Sequence, residues 1–250
     1  MTNPRAASPW HRLKTRASLI VLLLVACGAS PTSAPSDAAL WAKLGEIDGR
    51  AAKVRSLAAQ FEQQKFTALL RKPLVSSGRV RVRGAVMRWD TTKPQASVLY
   101  IDPHEARVYY PDQKALEVYP LDSRLGELAA SPLPRLAALR SRFAFEQVPA
   151  NQLSPSADPA KFIALRLTPT EDSLRRYVSQ VRVLLDVEHA CIVVAEVTDG
   201  DGDRTVLTFK DVQINPDVGD LELHVPAGTR VSHPLEGVDQ QGPPAQGKSK

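Results

Sequence analysis

The sequence predicts a mainly β fold with helical additions: one large antiparallel sheet, strongly twisted or curled, preceded by an amphipathic helix and interrupted by a short, proline-broken helical segment. Three observations predict it. Apolar residues recur with period two through most of the chain after residue 78, the pattern of strands that bury one face and wet the other. One early segment has helical periodicity instead. Only one cysteine, Cys191, lies beyond residue 27, so no intramolecular disulfide stabilises the body and a packed core must do so. At 250 residues a single all-β domain suffices, and the length does not demand a second.

The first 26 residues read as a lipoprotein signal. Arg5, Arg12, Lys14 and Arg16 precede an apolar run from Ala17 to Ala26, too short to span a bilayer comfortably. Leu24-Val25-Ala26-Cys27 resembles a bacterial lipobox, in which small residues precede a cysteine that is acylated and becomes the mature N-terminus. The alternative is ordinary cleavage nearby, for example after Ala29, with Cys27 discarded. Residues 27–36 are small, polar and proline-containing, as suits a flexible tether. The formal charge of +5 resides largely in the signal: without its four basic residues, 28 basic face 27 acidic residues. That near-neutral body lacks the concentrated positive field that nucleic acid requires.

The body is expected over residues 37–231. Leu40, Leu44, Ile47, Ala51 and Val54 mark one face of a helix opened by Ser36 or Asp37 and ending near Ser56. From Gly78 to Asp90 a hairpin turning at Gly84-Ala85 pairs Arg83 with Val86, Val82 with Met87, Arg81 with Arg88, Val80 with Trp89 and Arg79 with Asp90. One face then holds Val80, Val82, Met87 and Trp89. The other collects the arginines, and is expected to be fully solvated. Strands follow around Ser97–Ile101, Arg107–Tyr110 and Leu116–Tyr119. Leu125, Leu128, Leu136 and Leu139 then read as helix, divided by Pro132 and Pro134. Alternation returns at Phe143 and Phe145, and residues 149–159 read as a loop. Further alternating sets are Ile163, Leu165 and Leu167; Tyr177, Val181, Val183, Leu185 and Val187; Leu207 and Phe209; and Leu221, Leu223 and Val225. A disordered tail is expected from residue 232 to residue 250.

Little in the chain points to catalysis or metal. Asp199-Gly200-Asp201-Gly202-Asp203 starts like a calcium loop, but Arg204 replaces the glycine at position six and Lys210 the glutamate at position twelve, which leaves a solvated hairpin turn. His11, His104, His189, His224 and His233 show no metal-ligand spacing, and the sequence has no nucleophile elbow, zinc-helix motif or phosphate loop. No catalytic residue, cofactor or metal site is assigned, and the chain is not expected to be an enzyme. Cys191, in an apolar stretch, reads as a buried thiol that packs as a small hydrophobe.

Four ordered segments carry a family resemblance: Phe61-Glu62-Gln63-Gln64-Lys65; Gly78-Arg79-Val80-Arg81-Val82 with Met87-Arg88-Trp89-Asp90 and Pro94; Thr208-Phe209-Lys210-Asp211-Val212-Gln213-Ile214-Asn215-Pro216; and Val225-Pro226-Ala227-Gly228-Thr229. From about Leu40 to Val231 the chain resembles the LolA family of outer-membrane lipoprotein carriers, and its lipobox resembles the receptor LolB. The resemblance implies a single unclosed, strongly curved antiparallel β-barrel with helices in its mouth as a lid, and a cavity for the acyl chains of a lipoprotein or lipid. Val80, Val82, Met87, Trp89 and Leu185 are then expected to line the basin, with Leu128 and Leu136 on the lid. Arg83 is the nearest match to the family's lid-latching arginine, although Gly84 follows it where the family has proline.

The function expected is a periplasm-facing carrier or chaperone that releases acyl chains to a membrane or partner. The alternative is an anchored accessory or scaffold for a glycolipid or lipid-precursor export system. Expected partners are acyl chains, a membrane reached through the anchor at Cys27, and an exporter or acceptor protein. Gly28, in place of the aspartate that retains enteric lipoproteins in the inner membrane, favours the periplasmic side of the outer membrane.

Overall fold

The computed structural model of the protein describes residues 37–121 and 131–234. The helix α1 (Asp37–Ala51) opens the body. The strands β1 (Ser56–Phe66), β2 (Leu74–Arg83), β3 (Val86–Lys93), β4 (Ser97–Ile101), β5 (Glu105–Tyr110) and β6 (Ala115–Pro120) form one meander. After the single-turn helix α2 (Leu136–Leu139) come β7 (Phe143–Val148) and β8 (Phe162–Pro169), then a further turn, α3 (Asp172–Arg175). The last strands are β9 (Val178–Asp186), β10 (Cys191–Asp199), β11 (Arg204–Ile214) and β12 (Arg230–Ser232).

All 12 strands join one sheet in the order β12-β6-β5-β4-β3-β2-β1-β11-β10-β9-β8-β7. Its ends, β7 and β12, are not neighbours, so the curved sheet stays unclosed. Each pairing is antiparallel except β12 with β6, which is parallel. The long first strand links the two halves, pairing with β2 on one side and β11 on the other.

The β2–β3 hairpin has the register that alternation predicts, from Arg83 opposite Val86 to Arg79 opposite Asp90. Gly84 supplies the turn at φ 59°, a left-handed conformation that glycine adopts without steric cost. At the other end, a Cβ on Gly78 would lie 2.0 Å from the carbonyl oxygen of Asp90, so only glycine allows this close approach.

The inner face of the sheet carries two apolar clusters. One joins Leu44, Ile47 and Ala51 of α1 to Leu136, Phe143 and residues of β8 and β9. The other gathers Leu57, Phe61, Val80, Val82, Met87, Trp89 and Phe209. Leu133 and Ile192 pack against both.

Four expectations are corrected. α1 ends at Ala51, not near Ser56, because residue 56 already begins the strand that pairs with Arg83 and the chain must turn in between. The expected helix before Arg140 is limited, within the described part, to Leu136–Leu139; Ser131 to Arg135 is irregular because Pro132 and Pro134 supply no amide hydrogens. Leu128 lies outside the described residues.

Leu221 to Val225 forms no strand. Instead this segment crosses the outer face of the sheet, where Leu223 packs with Tyr100, Tyr109 and Leu116, and Val218 and Leu221 pack with Ala58. Finally, the arginine face is not fully solvated. Arg81 and Arg88 both reach the Asp90 carboxylate, at 2.8 and 2.9 Å. Arg81 also donates to the carbonyls of Val218 and Asp220, and Arg88 to that of Glu222 at 2.7 Å. The guanidinium groups thus serve the orphan carbonyls of a segment that has no ladder of its own.

Candidate functional site

The clusters do not fill the concave face completely. Beneath residues 131–139 lies an apolar cavity of about 150 Å³, floored by Val183, Ile192, Leu207 and Phe209 and roofed by Leu133 and Leu136. Ser131 and Arg135 join its otherwise mainly apolar lining, and the space suits a group about the size of benzene.

The roof is tied down at both ends. Pairing of β10 with β11 stops at Val194 opposite Thr208, although β11 continues beside β1 as far as Ile214. The amide of Ile192, left without a ladder partner on that side, donates to the carbonyl of Pro132 at 2.7 Å. Farther along, α2 has no side-chain cap of its own. Asp48 of α1 takes that place, its carboxylate accepting from the amides of Leu136 at 3.0 Å and Ala137 at 2.8 Å. Beyond α2, Arg140 lies over the Trp41 ring at 4.5 Å, and Trp41 in turn meets Phe145 edge-on at 4.8 Å.

On the far side of the same roof is a second space of about 450 Å³, bounded by Asp48 and Ala51 of α1, by Val54 and Gly84, and by Ser131, Leu133, Pro134 and Arg135. Residues 131–135 therefore form the partition between an outer groove and the apolar cavity. Displacing them would join the two.

Of the residues singled out in the sequence, Leu136 lines the cavity directly. Val80, Val82, Met87 and Trp89 are buried together in the cluster beside it, and Leu185 is buried in the other. Trp89 links to the cavity floor through Phe209, with ring centroids 5.7 Å apart, and packs edge-on against Phe61 at 4.8 Å. Its indole N–H is buried with no hydrogen-bond partner among the described residues. Arg83 is half exposed, donates to the Gly219 carbonyl at 2.7 Å and lies 3.9 Å from Asp217. Cys27 lies outside the described residues.

Sequence reasoning missed Asp48, Pro132 and Ile192. Nothing local marks Asp48, whose partners lie 88 and 89 positions away. The lone amide of Ile192 arises from a register shift in β10 that alternation cannot show.

A family model described as the outer membrane lipoprotein carrier protein LolA matches residues 52–222, well over half of the chain. The chain belongs to the LolA family. Family membership supports a lipid or lipoprotein carrier in general. An outer-membrane lipoprotein carrier protein of Chromohalobacter salexigens is 24% identical over 187 residues, covering 71% of this chain and 80% of its own length. Among solved structures, an uncharacterized conserved protein of Thermus thermophilus shares 13% identity, with a TM-score of 0.46 over 76% of this chain and 98% of its own. The lipoprotein LppX of Mycobacterium tuberculosis shares 15%, with a TM-score of 0.44 over 74% and 100%. MucB of Pseudomonas aeruginosa, in its complex with MucA, shares 12%, with a TM-score of 0.44 over 75% and 62%.

Three further features of the described residues have structural roles. Asp199 closes the β10–β11 turn by accepting from the amides of Asp201 and Asp203, at 3.0 and 2.9 Å. His224 pairs with Asp220 at the surface, 3.2 Å away. Cys191 is fully buried, and burial pushes its thiol up to about 12, with the nearby Asp186 carboxylate adding to the effect.

Proposed function

We propose that this protein shelters acyl chains of a lipoprotein or lipid against the concave face of its sheet and releases them to a membrane or an acceptor protein. The observation that carries this reading is the apolar cavity beneath residues 131–139, a segment whose hydrogen bonds include one from the Ile192 amide of the sheet and two to the Asp48 carboxylate of α1. Lifting this roof breaks those bonds and the packing of Leu133 and Leu136, and uncovers Leu207, Phe209 and Ile192. Val80, Val82, Met87, Trp89 and Leu185 then supply the deeper apolar wall, and Leu136 moves with the lid.

The driving force is partition. Each methylene withdrawn from water contributes roughly 0.8 kcal/mol. At about 150 Å³ the cavity admits only a short piece of chain, so loading and lid displacement are coupled, and release requires an acceptor that covers the chain more fully. No covalent step is needed. With Cys27 acylated, the protein works from the periplasmic side of a membrane, and Gly28 favours the outer one. Native mass spectrometry of the full chain after gentle extraction tests the reading. Co-purifying acyl species are expected, and a chain that stays empty when offered lipopeptide rules the carrier role out.

A further inference from the structure

Among the described residues, four of the six exposed large apolar side chains lie at one place. Leu69 is 94% exposed, Leu70 46%, Leu74 51% and Val75 48%. All four lie at the β1–β2 hairpin tip. Pairing of β2 with β3 ends at Ser77 opposite Lys93, whereas β2 continues beside β1 to Leu74 opposite Lys65, so the hairpin overhangs its neighbour before the loop even begins. Arg71 and Lys72 sit at the apex, both exposed, and neither takes part in an ion pair among the described residues. No acidic residue occurs between Glu62 and Asp90.

We infer that this hairpin tip is a membrane-docking element that inserts Leu69 and Leu70 into an anionic lipid surface while Arg71 and Lys72 engage the headgroups. Leucines at a protruding turn, flanked at once by basic side chains and free of acids, match an interface that is apolar within and negative at its edge. A protein partner would have to offer both an apolar pocket and an acidic rim at the same spot, whereas any anionic bilayer offers both everywhere.

The position suits delivery. The tip and Gly84 lie at opposite ends of β2, so the tip is on the rim away from the outer groove. The cavity reaches toward the tip's rim: its lining includes Val197, two residues before the β10–β11 turn begins, and Leu207, which lies opposite Gln63 near the end of β1. Tyr177, 63% exposed, stands at the start of β9 on this rim. The inference goes beyond the carrier reading, because docking requires no cargo.

The test uses the full chain carrying Cys27→Ser, to remove the acylation site, and Leu69→Cys bearing an environment-sensitive fluorophore; Cys191, fully buried, stays unlabelled. The matching control carries the label through Ala85→Cys at the opposite hairpin. With phosphatidylcholine vesicles containing phosphatidylglycerol, emission from position 69 is expected to shift to the blue and to be quenched by nitroxide-bearing acyl chains, while position 85 does not respond. Changing Arg71→Gln and Lys72→Gln together should weaken the response roughly 25-fold, since each basic residue near such a surface contributes about fivefold. Equal responses at positions 69 and 85 overturn the inference, as does an undiminished response on pure phosphatidylcholine. A blue shift without vesicles that grows with protein concentration assigns the tip to self-association and overturns it as well. Acyl binding is not read in this experiment, so its failure leaves the carrier reading separately testable.

Discussion

Asp48 and Leu136 are 88 residues apart in sequence, yet a carboxylate oxygen of the first accepts the amide of the second at 3.0 Å. The other oxygen accepts from Ala137 at 2.8 Å, so one side chain caps a helical turn that has no cap of its own. Because α2 forms part of the roof over the cavity, this contact holds the segment proposed as a lid.

Asp48→Ala should therefore loosen the lid without unfolding the sheet. A lost cap costs about 1–2 kcal/mol. Hydrogen exchange is expected to speed up at Leu136 and Ala137 by on the order of tenfold, in line with that cost, with little change in the amides of β1 and β11. Uniform exchange across the chain would show that Asp48 supports the fold rather than the lid.

How far the sequence reveals such contacts depends on what it can encode locally. The β2–β3 hairpin was legible residue by residue, since valines and arginines alternate on opposite faces and Gly84 marks the turn. The same alternation misled at Leu221, Leu223 and Val225: Leu221 and Leu223 are buried, but against the outer face of other strands. Alternation reports which side chains are covered, and says nothing about whether a backbone ladder forms. The arginines reversed the lesson. Their charge suggested water, while Arg81 and Arg88 are bound to Asp90 and to carbonyls some 130 residues distant, a long-range partnership with no local mark. The segment proposed as a lid is likewise held by bonds to Asp48 and Ile192 that no spacing in the sequence displays.

The Asp90 carboxylate balances two guanidinium groups whose side chains are only 19% and 18% exposed. Asp90→Asn keeps the shape and removes the charge, leaving both arginines short of a partner. A loss of about 1–3 kcal/mol in urea unfolding is expected. The loss should shrink at high salt only slightly, because the groups are partly shielded from solvent.

Burial of Cys191 gives the protein a pH limit. Its thiol, normally near 9.0, is pushed up to about 12 in the folded state. A raised pKa means that the unfolded chain releases this proton first, so the contribution to stability is complete below pH 9 and is lost as pH rises toward 12. Tyr119, also raised by burial to about 12, acts in the same direction from pH 10 upward. Equilibrium unfolding across this range should show a steady alkaline decline that is smaller in Cys191→Ala. At pH 8 the native thiol should react with disulfide reagents far more slowly than after denaturation.

The proposed carrier role needs an unfilled apolar space to receive acyl chains, and Ala195 lines that space without filling it. Ala195→Phe places a ring of about the cavity's size inside it, and unfolding of the variant, expected to lose no more than about 1–3 kcal/mol, is measured alongside. The decisive measurement is titration of a fluorescent fatty acid into the full chain and into this variant. Affinity is predicted to fall about tenfold or more, the loss expected when roughly two buried methylenes are displaced. Unchanged binding by a fully folded Ala195→Phe protein would contradict the account.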